Sequence, residues 1–220
     1  MKNMAQNDQV LWVAILGDQI DSRTDDRRDL DLVAIEQRIK EINELCGDRL
    51  KVPFSMSHGD EIQALVSDPV TALDVIDTFD SNSWLISFRY TLGIGGLSTD
   101  FGQQTWSMDG PCFHNARDAM EHAKKEKRWL TVHGLDPLQD EIVNGVARSL
   151  QVIRQGWTRR QKLAYSIRRL EDQQQIAAEL MDMDQSTLSK MLKAAHYKPY
   201  LEIESTLKTL FREYWKGDAS

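Results

Sequence analysis

The sequence predicts an α+β protein: a ferredoxin-like sandwich with helices on one face and one added strand, followed by an all-helical part carrying a helix-turn-helix. Three observations lead there. Short apolar runs and helical apolar spacings alternate up to His133 in the order β-α-β-β-α-β-α-β. Beyond Leu135 every periodic segment is helical. The charge also changes sign along the chain: residues 1–150 carry 15 Lys and Arg against 25 Asp and Glu, net −10, and residues 151–220 carry 12 against 9, net +3. With 220 residues, one large or two small domains fit. The expected boundaries are 8–135 for the sandwich, 136–157 for a linking helix and 158–216 for the helical domain.

The elements follow from local pattern. Val10–Leu16 is a short apolar run ending at Gly17-Asp18, a buried strand. Residues 26–45 place Leu30, Val33, Ile35, Ile39, Ile42 and Leu45 near helical spacing and stop before Gly47. Residues 50–56 and 62–66 flank a His58-Gly59-Asp60 turn and predict a hairpin. Pro69–Phe79 is a helix with Pro in its first turn. Trp84–Ile94 is a long strand that meets the glycines of "GIGGLSTDFG". Pro111–Glu126 is a helix with Phe113, Ala116, Met120 and Ala123 on one side, and Trp129–His133 is the last strand. Helices are then expected over 138–154, 158–170, 173–181, 185–195 and 200–215.

Composition excludes several classes. Hydrophobic residues make up 41% and charged residues 28%, ordinary for a globular protein. Cys46 and Cys112 form no CxxC pair and have no zinc-type spacing to histidine, so neither a zinc site nor a disulfide framework is expected. The N-terminus "MKNMAQNDQ" is polar and unlike a signal peptide, and "VLWVAIL" is far too short to cross a bilayer. A cytoplasmic protein with no membrane partner is expected. "DGPCFHNAR" holds a Cys-His pair without a third group nearby, so no nucleophilic thiol is read there.

The predicted strand order brings the end of the first strand beside the start of the strand after the hairpin, so Asp18 should meet Asp60. Carboxylates at adjacent strand ends repel unless a cation lies between them, and oxygen ligands of this kind suit Mg²⁺ or Mn²⁺. The stretch "GDQIDSR" also offers backbone N–H groups to phosphate oxygens, and Arg23 could add a clamp. Gly-Asp turns are common on solvated surfaces as well, so both readings stand at this level. Arg89 is expected to point into solvent or to pair with an acid.

Several motifs resemble known families. "SHGDEIQALV" resembles the hairpin of diguanylate cyclases, whose GGDEF motif lies between two strands. "ILGDQIDSR" is similar to the first-strand metal motif of nucleotidyl cyclases, and "FRYTLGIGGLSTD" to a strand of class III adenylate cyclases. "ARDAMEHAKKEKR" is similar to the helix that follows. The ensemble, with its helical end, resembles the SatD family. The resemblance implies a cyclase-like, ferredoxin-type domain in which Asp18 and Asp60 bind the metal, with Glu61 as a third ligand. It places the backbone of Gln19, Ile20, Asp21 and Ser22, with Arg23, at a nucleotide's phosphates, and His58 and Gly59 against base or ribose. Class III cyclases carry Asn and Arg four apart on that helix. Asn115 and Arg117 are two apart and fall on different faces.

"QQQIAAELMDMDQSTLSKMLKAAHY" has the pattern of a helix-turn-helix. Ala178 is the small residue where the helices cross, Asp182 stands where Gly is usual, Asp184 is a good N-cap, and Leu188 and Leu192 should pack inward. Gln185, Ser186, Thr187, Ser189 and Lys190 open the second helix with side chains suited to phosphates and base edges. Upstream, residues 154–170 contain six basic residues and no acid. Arg159 and Arg160 begin that helix and could clamp phosphates. An ordinary helical hairpin with a solvated basic face fits the same pattern. The preferred function is a regulator that binds double-stranded DNA, as a homodimer, and senses a nucleotide with Mg²⁺ or Mn²⁺. An active nucleotidyl cyclase and a degenerate protein-interaction module are the alternatives.

Overall fold

Alternating side chains build a sheet that is buried on both faces. In β1 (Trp12–Gln19), Val13 and Ile15 face one side and Ala14 and Leu16 the other. The computed structural model describes residues 10–20, 28–57, 61–81, 87–102 and 104–216. It joins β1 to β2 (Val52–Met56), β3 (Glu61–Val66), β4 (Phe88–Gly95) and β5 (Leu130–His133) in the order β2-β3-β1-β4-β5. β1 is antiparallel to both β3 and β4, while β4 and β5 are parallel. The fold is therefore α+β with a mixed five-stranded sheet. β1 outlasts its apolar run: pairing with β3 holds Gly17 and Asp18 in the ladder, and pairing with β4 extends it to Gln19. Asp18 thus lies within the strand and not in a turn after it.

Among the described residues there are eight α-helices: α1 (Arg28–Cys46), α2 (Pro69–Ser81), α3 (Pro111–Glu126), α4 (Pro137–Gln155), α5 (Arg159–Leu170), α6 (Gln174–Leu180), α7 (Gln185–Ala194) and α8 (Tyr197–Tyr214). Of these, none is long and apolar enough to cross a membrane. α1 and α2 cover the Val13 face, and α3 covers the Ala14 face. Helices thus lie on both faces, and the β4–α3–β5 crossover has the hand opposite to the other two. The connection before α3 explains this, because its short 3-10 turn (Thr105–Ser107) reaches back to β2 and β3. α3 also sits very close to β4. A Cβ on Gly93 would lie 2.0 Å from the carbonyl oxygen of Cys112, so glycine there permits the close approach.

One apolar cluster runs from Val13 of β1 through Val143, Leu150, Trp157 and Tyr165 to Phe211 of α8. Along α4, Val143 and Leu150 are buried within the chain, Val146 and Ile153 are half-buried against the same cluster, and Leu138, Ile142 and Val152 stay exposed.

Polar groups pin the same junction. The Tyr165 hydroxyl donates to Asp77 Oδ1 at 2.6 Å, and Arg169 Nε donates to Asp77 Oδ2 at 2.8 Å. Arg169 also pairs with Glu204 at 3.1 Å, and Lys208 bridges Glu204 (3.1 Å) and Asp74 (2.6 Å). Nearby, Asp80 accepts from Arg154, Trp129 and Tyr90 at 2.7, 3.1 and 2.7 Å. Removing one partner of a buried pair leaves the other uncompensated. Asp77→Ala is expected to cost about 3–5 kcal/mol, seen as a lower urea midpoint followed by circular dichroism.

Candidate functional site

Strand register gathers four charges at one end of the sheet. Asp18 of β1 lies opposite Glu61 of β3 on one side and Arg89 of β4 on the other. All three occupy the positions that face α3, because side chains alternate along each strand. Lys124, in the last turn of α3, reaches over them. Its Nζ is 2.7 Å from Asp18 Oδ1 and 3.6 Å from Glu61 Oε1, and Arg89 Nη1 is 3.6 Å from Asp18 Oδ2. Burial works against the Lys124 ammonium, but the hydrogen bond and charge of Asp18, with Glu61 behind it, hold its pKa above the ordinary lysine value. Arg89 therefore pairs with an acid, one of the two roles expected for it.

Other predicted positions are distributed differently. Asp21, Ser22, Arg23, His58, Gly59 and Asp60 lie outside the described residues. The N–H of Ser57 donates to the carbonyl of Glu61 at 2.9 Å, joining the ends of β2 and β3. Gln19 is paired with Phe88 in the ladder, and the Ile20 N–H donates to the Ser87 carbonyl at 2.7 Å. No group of three His, Cys, Asp or Glu side chains able to hold a metal occurs among the described residues. Asn115 does not join the charged cluster: its side-chain amide donates to the Ile94 carbonyl, and Arg117 pairs with Asp109. Cys112 is fully buried, and burial pushes its thiol up to about 12, which leaves no thiolate at neutral pH.

Beside Lys124 the same end of the sheet opens into a cleft of 710 Å³. Arg89, Lys124, Lys127 and Arg128 line it from the sheet side, and Arg154, Arg159 and Lys162 from the helical side. Asp80 is the only acid among the described residues that line it. Sequence reasoning missed this cleft. Lys124, Lys127 and Arg128 lay in the stretch that resembles a cyclase helix, but nothing local linked them to α5.

α5, α6 and α7 share a small core of Ala164, Ala177, Ala178, Met181, Leu188 and Leu192. Asp182 adopts φ +50° in the turn, a conformation that Asp tolerates. Asp184 caps α7: Oδ1 accepts from the Thr187 N–H (2.9 Å) and the Ser186 hydroxyl (2.6 Å), and Oδ2 from the Thr187 hydroxyl (2.8 Å). Gln185, Ser186, Thr187, Ser189 and Lys190 are exposed on α7, as are Arg159 and Arg160 on α5. Arg154 and Arg169 of the basic run instead point inward to Asp80 and Asp77.

The family model described as "SatD family" matches residues 12–211, from the first residue of β1 into the last turns of α8. The chain belongs to the SatD family. No curated protein matches it. In this SatD protein the charged cluster on the sheet and the α5–α7 unit both fall inside the match, so one family unit contains both.

The hydrogen bonds from Ser186 and Thr187 hold the Asp184 carboxyl well below its ordinary value of 3.8. A depressed folded-state pKa means that the cap's stabilising effect is complete above the unfolded value and is lost as pH falls through the lower folded value. The melting-temperature difference between wild type and Asp184→Ala is therefore expected to be constant from about pH 7 to 5 and to shrink below about pH 4. Thermal melts across that range measure it.

Proposed function

We propose that this SatD protein is a DNA-binding regulator whose sheet part binds a nucleotide together with Mg²⁺ or Mn²⁺. The observation that carries the nucleotide half is the Lys124 ammonium, within reach of both the Asp18 and Glu61 carboxylates. A cation already stands where two acids converge, so the chemistry of the place suits a divalent ion. Asp18 and Glu61 would hold the metal, with Asp60 completing the set. The metal would supply positive charge to offset the two carboxylates. Lys124 and Arg89 would face the phosphates, beside Gln19 and Ile20.

The strand order and antiparallel neighbours of β2, β3, β1 and β4 support a ferredoxin-like, cyclase-type reading of the sheet. The α6–α7 turn, with αL Asp182 and the Asp184 cap, supports a helix-turn-helix. Gln185, Ser189 and Lys190 would face base edges and phosphates, Ser186 and Thr187 the backbone near the cap, and Arg159 and Arg160 the flanking phosphates. Two copies on two half-sites remain the expected arrangement on DNA.

Two measurements test these halves separately. Lys124→Met removes the competing ammonium, so Mg²⁺ or Mn²⁺ is expected to raise the melting temperature of the variant more than that of the wild type. An equal or absent metal effect in both proteins rejects the metal site. For DNA, fluorescence anisotropy with mixed duplex is expected to show binding that falls steeply with salt, because phosphate contacts release counterions. Lys190→Ala is expected to weaken that binding by about tenfold, a loss of roughly 1.4 kcal/mol. Absence of salt-sensitive binding rejects the DNA half.

A further inference from the structure

We propose that the cleft between the end of α3 and the start of α5 binds an oligophosphate, a chain of two or more phosphate groups, without a metal ion. The inference goes beyond the function proposed above. It needs neither the carboxylate pair on the sheet nor DNA.

Lys127 and Arg128 follow α3, and Arg159 and Lys162 lie in the first turn of α5, all lining one cavity. None of the four has an ion-pair partner among the described residues. Acids are plentiful in the chain, at 34 against 27 basic residues. Even so, the one acid lining the cleft among the described residues is already spent, because Asp80 accepts from Arg154, Trp129 and Tyr90. Arg154 is occupied in turn by Asp80 and by the Trp129 ring, 4.4 Å from its guanidinium carbon. Arg89 and Lys124 belong to Asp18. Four unpaired cations converging on a concave, partly apolar space repel one another and focus a positive potential there. That repulsion is relieved by a multiply charged anion.

Size and shape limit the anion. A space of 710 Å³ is that of a small-ligand site. Its cations come from two walls, so one charge cannot satisfy them all, whereas a phosphate chain presents several oxygens along its length. Guanidinium groups from Arg128 and Arg159 suit bidentate phosphate contacts, and the lysines add point charges. A nucleoside di- or triphosphate and an inorganic oligophosphate share this chemistry. The ligand would tie α3 to α5. Because α5 packs on α7 through Ala164 and Leu188, occupancy would also be felt at α7.

The test uses the full chain in EDTA, with tripolyphosphate, ADP and ATP titrated by calorimetry. Stoichiometric binding that weakens with salt is expected. Lys127→Gln with Arg128→Gln, and Arg159→Gln with Lys162→Gln, are each expected to weaken it about ten- to a hundredfold, the loss of a charge-assisted contact or two. Lys40→Gln, at an exposed position of α1, is expected to leave it unchanged. Equal affinity for tripolyphosphate and ATP assigns the site to the phosphate chain alone. Tighter ATP binding adds a contact to the nucleoside, and either result supports the site. Failure of all three anions to bind overturns the proposal, as does binding that both double variants leave intact. The single variant Lys162→Gln, at an exposed helix position where folding is not at risk, repeats the test if a double variant is unstable.

Discussion

Asp77 and Asp80, on neighbouring turns of α2, hold the sheet and the helical part together. Each accepts hydrogen bonds from the far end of the chain: Asp77 from Tyr165 and Arg169, and Asp80 from Arg154. Burial raises the proton affinity of the Asp80 carboxyl, while the Arg154 charge and the hydrogen bonds from Tyr90 and Trp129 oppose that rise. Burial also pushes the Tyr200 phenol, which accepts from Arg154, up to about 12. Such pairs contribute little net stability over a well-packed apolar contact, but losing one partner is expensive. Here they join α2 to α5 through Asp77 and to α4 through Asp80, and Glu204 and Lys208 of α8 complete the network.

The same pairs shape the cleft beside Lys124. The basic run that opens the helical part is divided by them. Arg154 and Arg169 turn inward to the acids of α2, and Arg159 and Lys162 are left on a wall facing the end of α3. On the other side of the same strand ends, register places Asp18 beside Glu61 and Arg89, and α3 delivers Lys124 above them. A balanced cluster of acids and bases thus adjoins a cleft whose charged lining, among the described residues, is basic apart from Asp80. The two environments differ in charge: acids and bases offset one another in the first, and positive charge prevails in the second.

The helical part shows how local chemistry can persist inside a tertiary arrangement. Asp184 caps α7 as its position in the sequence predicts, Leu188 and Leu192 are buried, and Asp182 takes the left-handed conformation at the place where glycine is usual. The bounds of α3 also agree with those expected from Pro111 and the apolar spacing that follows it. Each of these depends on contacts within a few residues, where short-range rules apply. Where long-range pairing takes over, expectation and structure part. β1 runs on through Asp18 because strands on both sides extend its ladder.

The sequence by itself determined the α+β class, nearly all of the elements, the capped turn between α6 and α7, and the meeting of Asp18 with the start of the strand after the hairpin. All of these follow from periodicity, caps and strand order, which are written into neighbouring residues. Only the tertiary structure decided that Lys124 and Arg89 neutralise Asp18, that α3 covers the face opposite α1 and α2, that Val143 and Leu150 of α4 pack within the chain, and that Arg154 and Arg169 are structural. Their partners lie far away in the chain. Which cation is spent and which is left free depends on the side chains that packing brings opposite it, and no local pattern records that.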